Sequence, residues 1–273
     1  MSGITLNAAV RQNLLALQNT ADLMSQTQNR LATGKKVNSA LDNPGAFFTA
    51  SGLDNRASDL SGLLDNMGQA VQTLKAADQG IKAITTLAQA AKAIANQALG
   101  TTDADAKAAY AAQFDDLIDQ IGTVASDSGY NGTNLLGGND LTVNFNEDAS
   151  SSTTVTAVDY TDATDSGGLA IANAVNDWDD DTNITAAVDD VNAALTTLRT
   201  QSASFGTNLT VVQARQDFTK NLIATLQEGS AKLTLADTNE ESANLLALQT
   251  RQSLSVTALS MASQAEQAVL RLF

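Results

Sequence analysis

From Val188 to Leu226 the chain sets a mostly apolar residue every three or four positions without a slip. The row is Val188, Val191, Leu195, Leu198, Ser202, Phe205, Leu209, Val212, Gln216, Thr219, Ile223 and Leu226. That spacing places every member on one face of an α-helix and conflicts with the two-residue period of a strand. A helix of that span is roughly 60 Å long at 1.5 Å per residue. Gly206 is its one interior weak point. Pro44 is the only proline in 273 residues, so other helices can also run long.

The same period opens the chain. Val10, Leu14, Leu17, Ala21, Met24, Gln28 and Leu31 form a heptad stripe on one helix face. Thr33-Gly34 predicts its end, because glycine adopts the left-handed conformation that follows a helix C-terminus. Asp42 or Asn43 is placed to cap a second helix, with Pro44 in its first turn, where a missing N–H costs nothing. This second helix is predicted over about 45–98. Its stripe runs from Leu60 through Met67, Leu74, Ile81, Ile84 and Ala91 to Ala98, with Gly52, Gly62, Gly68 and Gly80 as weak points. Gly100 breaks the pattern. Asp103 or Asp105 is then expected to cap a third helix carrying Tyr110, Phe114, Leu117, Ile121 and Val124, ending near Gly129.

The character changes at mid-chain. Leu141, Val143 and Phe145 alternate with polar residues, as do Val155 and Ala157 and then Val158 and Tyr160. Period two around a polar Asn-Glu-Asp-Ala-Ser linker predicts a β-hairpin. An aspartate-rich stretch follows, containing the single Trp178. The last helix, expected from about 239 to 273, carries two stripes. One is Leu245, Leu248, Gln252, Leu259, Ala262, Val269 and Phe273; the other is Ala247, Leu254, Ala258, Met261, Ala265, Ala268 and Leu272. One helix with two apolar faces needs two partners, and an intramolecular helix covers only one of them.

The expected fold is mainly α. It is an elongated up-and-down helical bundle or coiled coil, with paired N- and C-terminal helices and a small β-hairpin region at mid-chain. Aromatics make up only 4% of the chain, so small and medium aliphatic residues do the packing, which suits thin helical layers. Residues 1–43 are read as the N-terminal helix and a joint, and 44–139 as a second helical region. The hairpin and acidic loop occupy 140–184, the return helix 185–232 and the C-terminal helix 233–273.

Several function classes are disfavoured. A net charge of −15 leaves no basic face for nucleic acid. The chain has no histidine and no cysteine, so imidazole catalysis, thiolate zinc sites and disulfides are excluded. The Ala-Thr-Gly-Lys-Lys run at 32–36 has Asn29 and Lys36 where a phosphate loop needs glycine and Ser/Thr. Asp177–Asn183 resembles the start of a calcium loop but has Thr182 at the turn-glycine position and Val188 at the closing-glutamate position. No catalytic residue, metal ligand or cofactor is expected. No membrane span or signal peptide is expected either, and composition alone would place the chain in the cytoplasm.

The stretch from Arg30 to Leu60 resembles the N-terminal signature of bacterial flagellins. Its carriers are Arg30, Leu31, Gly34, Lys35, Lys36, Asn38, Ser39, Ala40, Asp42, Asn43 and Gly45. Gly129–Leu136 resembles the family's Phe-Asn-Gly turn, and the segments 236–254 and 262–273 resemble its C-terminal helix and hydrophobic end. The resemblance implies a subunit that self-polymerises into the extracellular flagellar filament for swimming. It implies export unfolded through the flagellar type III apparatus. The implied partners are further copies, alone or mixed with other flagellins, an export chaperone, and hook-associated junction and cap proteins. Terminal helices would form an inner tube and the following helices an outer one, with only about 140–184 left for a variable region. The polymer interface is expected at Val10, Leu14, Leu17, Met24, Leu31, Arg30, Lys35, Lys36, Leu254, Leu259, Met261, Val269, Leu272 and Phe273. The cations among these are expected to meet carboxylates of a neighbouring copy. Residues 1–40 and 235–273 are expected to order only on assembly. A hook–filament junction protein shares the terminal signatures and is the alternative. A cytoplasmic coiled-coil scaffold explains the heptads but not the signatures.

One departure from the family pattern is at Ala88–Gln97. Many flagellins carry an arginine-rich patch there that an innate immune receptor recognises, and Ala90 and Ala93 replace its arginine and glutamate. Purified monomer is therefore expected to signal weakly or not at all in a receptor reporter-cell assay. Strong signalling would refute this.

Overall fold

The computed structural model describes residues 8–270, with side chains from Val10 to Ala265 and at Gln267. Among them lie five α-helices: α1 (Ala8–Thr33), α2 (Pro44–Leu99), α3 (Ala104–Asp127), α4 (Asp181–Thr234) and α5 (Thr238–Leu270). A hairpin of β1 (Leu141–Asn144) and β2 (Ser152–Val155) and a single 3-10 turn, Val175–Trp178, separate α3 from α4. The chain forms two compact units. One is Arg56–Ala224; the other joins the residues up to Asn55 to those from Thr225 onward.

The helix ends follow from local chemistry. Gly34, at φ +68°, stops α1. Of the two candidates for the α2 cap, Asn43 takes the role: its Oδ1 accepts the Ala46 N–H at 3.1 Å. Asp103 caps α3 by accepting the Asp105 N–H at 3.1 Å. Asp181 lies in the first turn of α4 and meets the Lys107 ammonium at 2.5 Å. Lys107 is itself buried, so this pair lets a long cation enter the core.

The Arg56–Ala224 unit holds one apolar cluster. Met67, Leu74, Ile81 and Ile84 of α2 join Phe114, Ile118 and Ile121 of α3 and Val191, Leu198, Phe205 and Val212 of α4. The second half of α2 contributes Ala88, Ala91, Ala95 and Ala98, all fully buried. Methyl-sized side chains let neighbouring backbones approach closely there. The three polar members of the Val188–Leu226 row, Ser202, Gln216 and Thr219, lie half-buried or buried on the same face as the rest.

The hairpin is antiparallel with Leu141 opposite Val155 and Val143 opposite Thr153. Val143, Phe145 and Val155 point into the cluster, while Thr142 and Thr154 share a hydroxyl contact of 3.1 Å on the other face. The Arg215 guanidinium of α4 stands 5.1 Å above the Phe145 ring, and Arg56 of α2 pairs with Glu147 at 2.7 Å. Glu147 is held below the usual carboxylate range, first by its own backbone N–H and then by Arg56. The alternation at Val158 and Tyr160 does not extend the hairpin. The Val158 and Tyr160 N–H groups donate instead to Leu135 and Leu136 carbonyls at 2.9 and 2.8 Å.

Asn176, Asp177 and Trp178 all have positive φ, a left-handed run that non-glycine residues rarely adopt. Trp178 is fully buried, and its ring lies 5.0 Å from that of Phe114. Burial of the indole offsets the strain of the turn. The segment that resembles the start of a calcium loop thus contains, in Trp178, the anchor of the acidic loop.

Gly80 differs from the reading of it as a weak point. A Cβ there would collide with the Ser128 side chain and meet Leu136 Cδ1 at 2.7 Å. Gly122 is confined by backbone rather than side chain, because a Cβ would run into the Thr161 backbone carbonyl oxygen. Gly122→Ala is expected to destabilise this unit by about 1–3 kcal/mol, the usual cost of overpacking. Gly62→Ala, with open space around it, is expected to cost nothing or to stabilise slightly. Urea denaturation of the two variants checks the contrast.

Candidate functional site

The second unit is built on the pairing of α1 with α5. Two short cross-links fix its register where the chain turns. Lys36 donates its N–H to the Thr234 carbonyl at 2.8 Å, and Ala236 donates to that of Gly34 at 3.0 Å. Lys35 and Leu235 form the antiparallel bridge between them. Beyond it, Arg30 Nη1 meets Glu241 Oε1 at 2.9 Å. Glu241 is buried, and its second oxygen, Oε2, has no hydrogen-bond partner.

This ion pair corrects the expectation for Arg30. Its carboxylate comes from the same chain, because α5 returns antiparallel and sets Glu241 opposite the end of α1. Lys35 and Lys36 make no ion pair among the described residues. They rim a polar hollow of about 350 Å³ that also includes Asp22 and Asp42. Asp42 accepts the Asn38 and Ser39 N–H groups, both at 2.9 Å, which closes the joint loop. Those two hydrogen bonds hold its carboxyl below the ordinary carboxylate range.

The seam of α1 corrects the expected stripe. Val10, Leu17, Met24 and Leu31 are buried or half-buried, as the heptad requires. The alternate positions are Asn13, Thr20 and Thr27 rather than Leu14, Ala21 and Gln28. Thr20 can be buried because its hydroxyl donates to the Ala16 carbonyl at 2.8 Å. Leu14, Leu15 and Leu23 are left exposed as a result.

On α5, one of the two expected stripes is covered. Leu245, Leu248, Gln252, Leu259 and Ala262 are half-buried, in line with buried Glu241. The other stripe is largely open: Leu254 is 66% exposed and Met261 60%, with Ala247 and Ala265 also exposed and Ala258 half-buried. The Val269 side chain and all of Leu272 and Phe273 lie outside the described residues.

The site residues therefore divide. Val10, Leu17, Met24, Leu31, Leu259 and Arg30 are engaged within the chain, at least in part. Leu14, Leu254, Met261, Lys35 and Lys36 face outward. Leu15, Leu23, Leu41, Phe48, Leu246 and Val256 are exposed apolar side chains that the sequence reading passed over. Their one signal in the sequence is position off the assigned stripes. Leu41, at 97% exposure in the joint, belongs to no helix and so gave no periodic signal.

Comparison with known proteins assigns this architecture to a class. Residues 4–140 match the bacterial flagellin N-terminal helical region, and residues 188–273 match the bacterial flagellin C-terminal helical region. Flagellin FljM of Caulobacter vibrioides is 32% identical over 269 residues, covering 95% of each chain. A flagellin of Brucella melitensis is 30% identical over 283 residues, covering 100% of this chain and 99% of its own. A crystal structure of Bacillus cereus flagellin overlaps 56% of this chain and 88% of its own, at TM-score 0.48 and 19% identity, and adds nothing to the assignment.

The chain belongs to the bacterial flagellin family. It is a structural subunit of the extracellular flagellar filament, into which members of this family self-assemble. The residues between the two matched regions, 141–187, contain the hairpin, the acidic loop and the Trp178 anchor.

The Arg30–Glu241 pair makes a specific prediction. Arg30→Met leaves a buried, uncompensated carboxylate and is expected to destabilise the α1–α5 pairing by on the order of 2 kcal/mol, since Arg30 is partly solvated. Adding Glu241→Leu is expected to recover most of that loss. Amide exchange of α1 and α5 in assembled filaments reads both effects.

Proposed function

We propose that neighbouring copies in the filament cover the open flanks of α1 and α5. The observation that carries this is the α1–α5 seam itself. Among the described side chains of the two helices Val10 is the only buried apolar one, and it keeps company with Thr20, Thr27 and Glu241. So thin a seam cannot repay the entropy of ordering two helices of this length. Leu14, Leu15 and Leu23 on α1 and Leu246, Leu254, Val256 and Met261 on α5 supply the missing area once other copies cover them. Residues 1–40 and 235–273 then gain their stability on assembly, so that polymerisation and folding are one step.

In this reading the protein is not an enzyme and uses no cofactor. It leaves the cell unfolded through the flagellar export apparatus, delivered by an export chaperone. It polymerises between hook-associated junction proteins and a cap. A chain without cysteine or histidine suits that passage, having no thiol to cross-link and no metal to shed. Lys35 and Lys36 meet carboxylates of an adjacent copy, which a net charge of −15 per chain provides in excess.

Leu254→Asp is expected to abolish seeded filament growth while leaving the thermal melt of the Arg56–Ala224 unit unchanged. Lys35→Glu combined with Lys36→Glu is expected to weaken or reshape the filament in the same assay. Electron microscopy of seeded protein decides both: normal filaments from Leu254→Asp would refute the proposed surface.

A further inference from the structure

The Arg56–Ala224 unit carries two unfilled surface features on different flanks of α4. One is a ridge: Phe218 is 58% exposed and Val211, one heptad before it, 39%. Ala214 lies between them on the same flank and is also exposed. Phe218 is the one exposed aromatic side chain of this unit, and nothing within the unit covers it. The other feature is a groove of about 570 Å³ between α2 and α4. Buried Ile81 and Leu198 form its floor, and Thr85, Thr86 and Arg199 are on its walls and rim.

Helix geometry relates the two. Ser202, in the groove, precedes Phe218 by sixteen residues, which is about 24 Å along the axis and about 160° around it. Ridge and groove thus face away from each other, and no chain can fill its own groove with its own ridge. Charge adds a second match. Arg199 on the groove rim makes no ion pair among the described residues, while Asp217 beside the ridge has only a long 3.5 Å contact to Lys220.

We infer that Phe218 of one copy seats in the Ile81–Leu198 groove of the next, with Asp217 opposite that copy's Arg199. This rests on the filament reading above and names a contact within it that the terminal helices do not supply. A knob and a hole on different faces make a head-to-tail contact. Each step advances the next copy by about 24 Å along α4 and passes the same unfilled pair onward, so the contact propagates without closing a dimer. An aromatic anchor seated in a cleft and ringed by polar side chains is the usual centre of such an interface.

The test uses the absence of cysteine from the chain. Thr86→Cys lies in the groove and Ala214→Cys beside the ridge. Ala214 is fifteen residues beyond Arg199 along α4, about 22 Å, too far for the two to pair within one chain. Filaments of the double variant, oxidised and then dissolved, are expected to give a ladder of linked chains, and neither single variant a dimer. Phe218→Ala is expected to raise the critical concentration for seeded growth about tenfold or more, with an unchanged melting curve. Filaments without a ladder, dimers from Ala214→Cys alone, or normal growth of Phe218→Ala would each overturn the contact. Failure of the unsubstituted protein to form filaments would instead overturn the filament reading, and this inference with it.

Discussion

A pair of helices can bury one face of each and no more. That limit governs the α1–α5 half of the molecule. The seam between the two helices is spent on a mixed row in which Val10, Leu17, Met24 and Leu31 alternate with Asn13, Thr20 and Thr27. The Arg30–Glu241 pair closes it near the joint, with one carboxylate oxygen unsatisfied. Polar groups in a seam specify register more than they stabilise it. The leucines that would have made a stronger two-helix pair are turned outward. In the proposed function this arrangement leaves the apolar area for other copies.

The Arg56–Ala224 unit meets the same limit differently. Three helices, a hairpin and an anchored loop share one cluster, so each helix has more than one internal neighbour. Buried alanines at 88, 91, 95 and 98 and the glycines at 80 and 122 bring backbones close. Phe114, Phe205 and Trp178 fill what that approach leaves. Cross-links of several kinds tie the hairpin to the helices, among them Arg56–Glu147 and Arg215 above Phe145. This unit has a core of its own, and its exposed apolar residues are isolated features on an otherwise polar surface.

How much of this was legible in the residues varied with the number of layers. The α4 row from Val188 to Leu226 and the α2 stripe could be read directly, because a helix packed on several neighbours must keep its whole apolar face inside. The caps at Asn43 and Asp103 were legible to within two residues, since only short polar side chains can bond the free N–H groups of a first turn. On α1 the heptad was right at every other position and wrong between. Apolar identity favoured Leu14 over Asn13, but α5 passes on the Asn13 side. The partner of Arg30 was out of reach as well, since Glu241 lies more than two hundred residues away and nothing local marks it.

By itself the sequence determined the helices, their breaks and the two apolar stripes of the last helix. These depend on periodicity, glycine, proline and capping, all of which act within a few residues. It also carried the family, through short signatures at both ends of the chain. Tertiary structure alone decided which apolar face is covered and which is left open. That choice depends on the azimuth at which two distant helices meet, and a rotation of one residue on a helix, about 100°, exchanges a buried position for an exposed one.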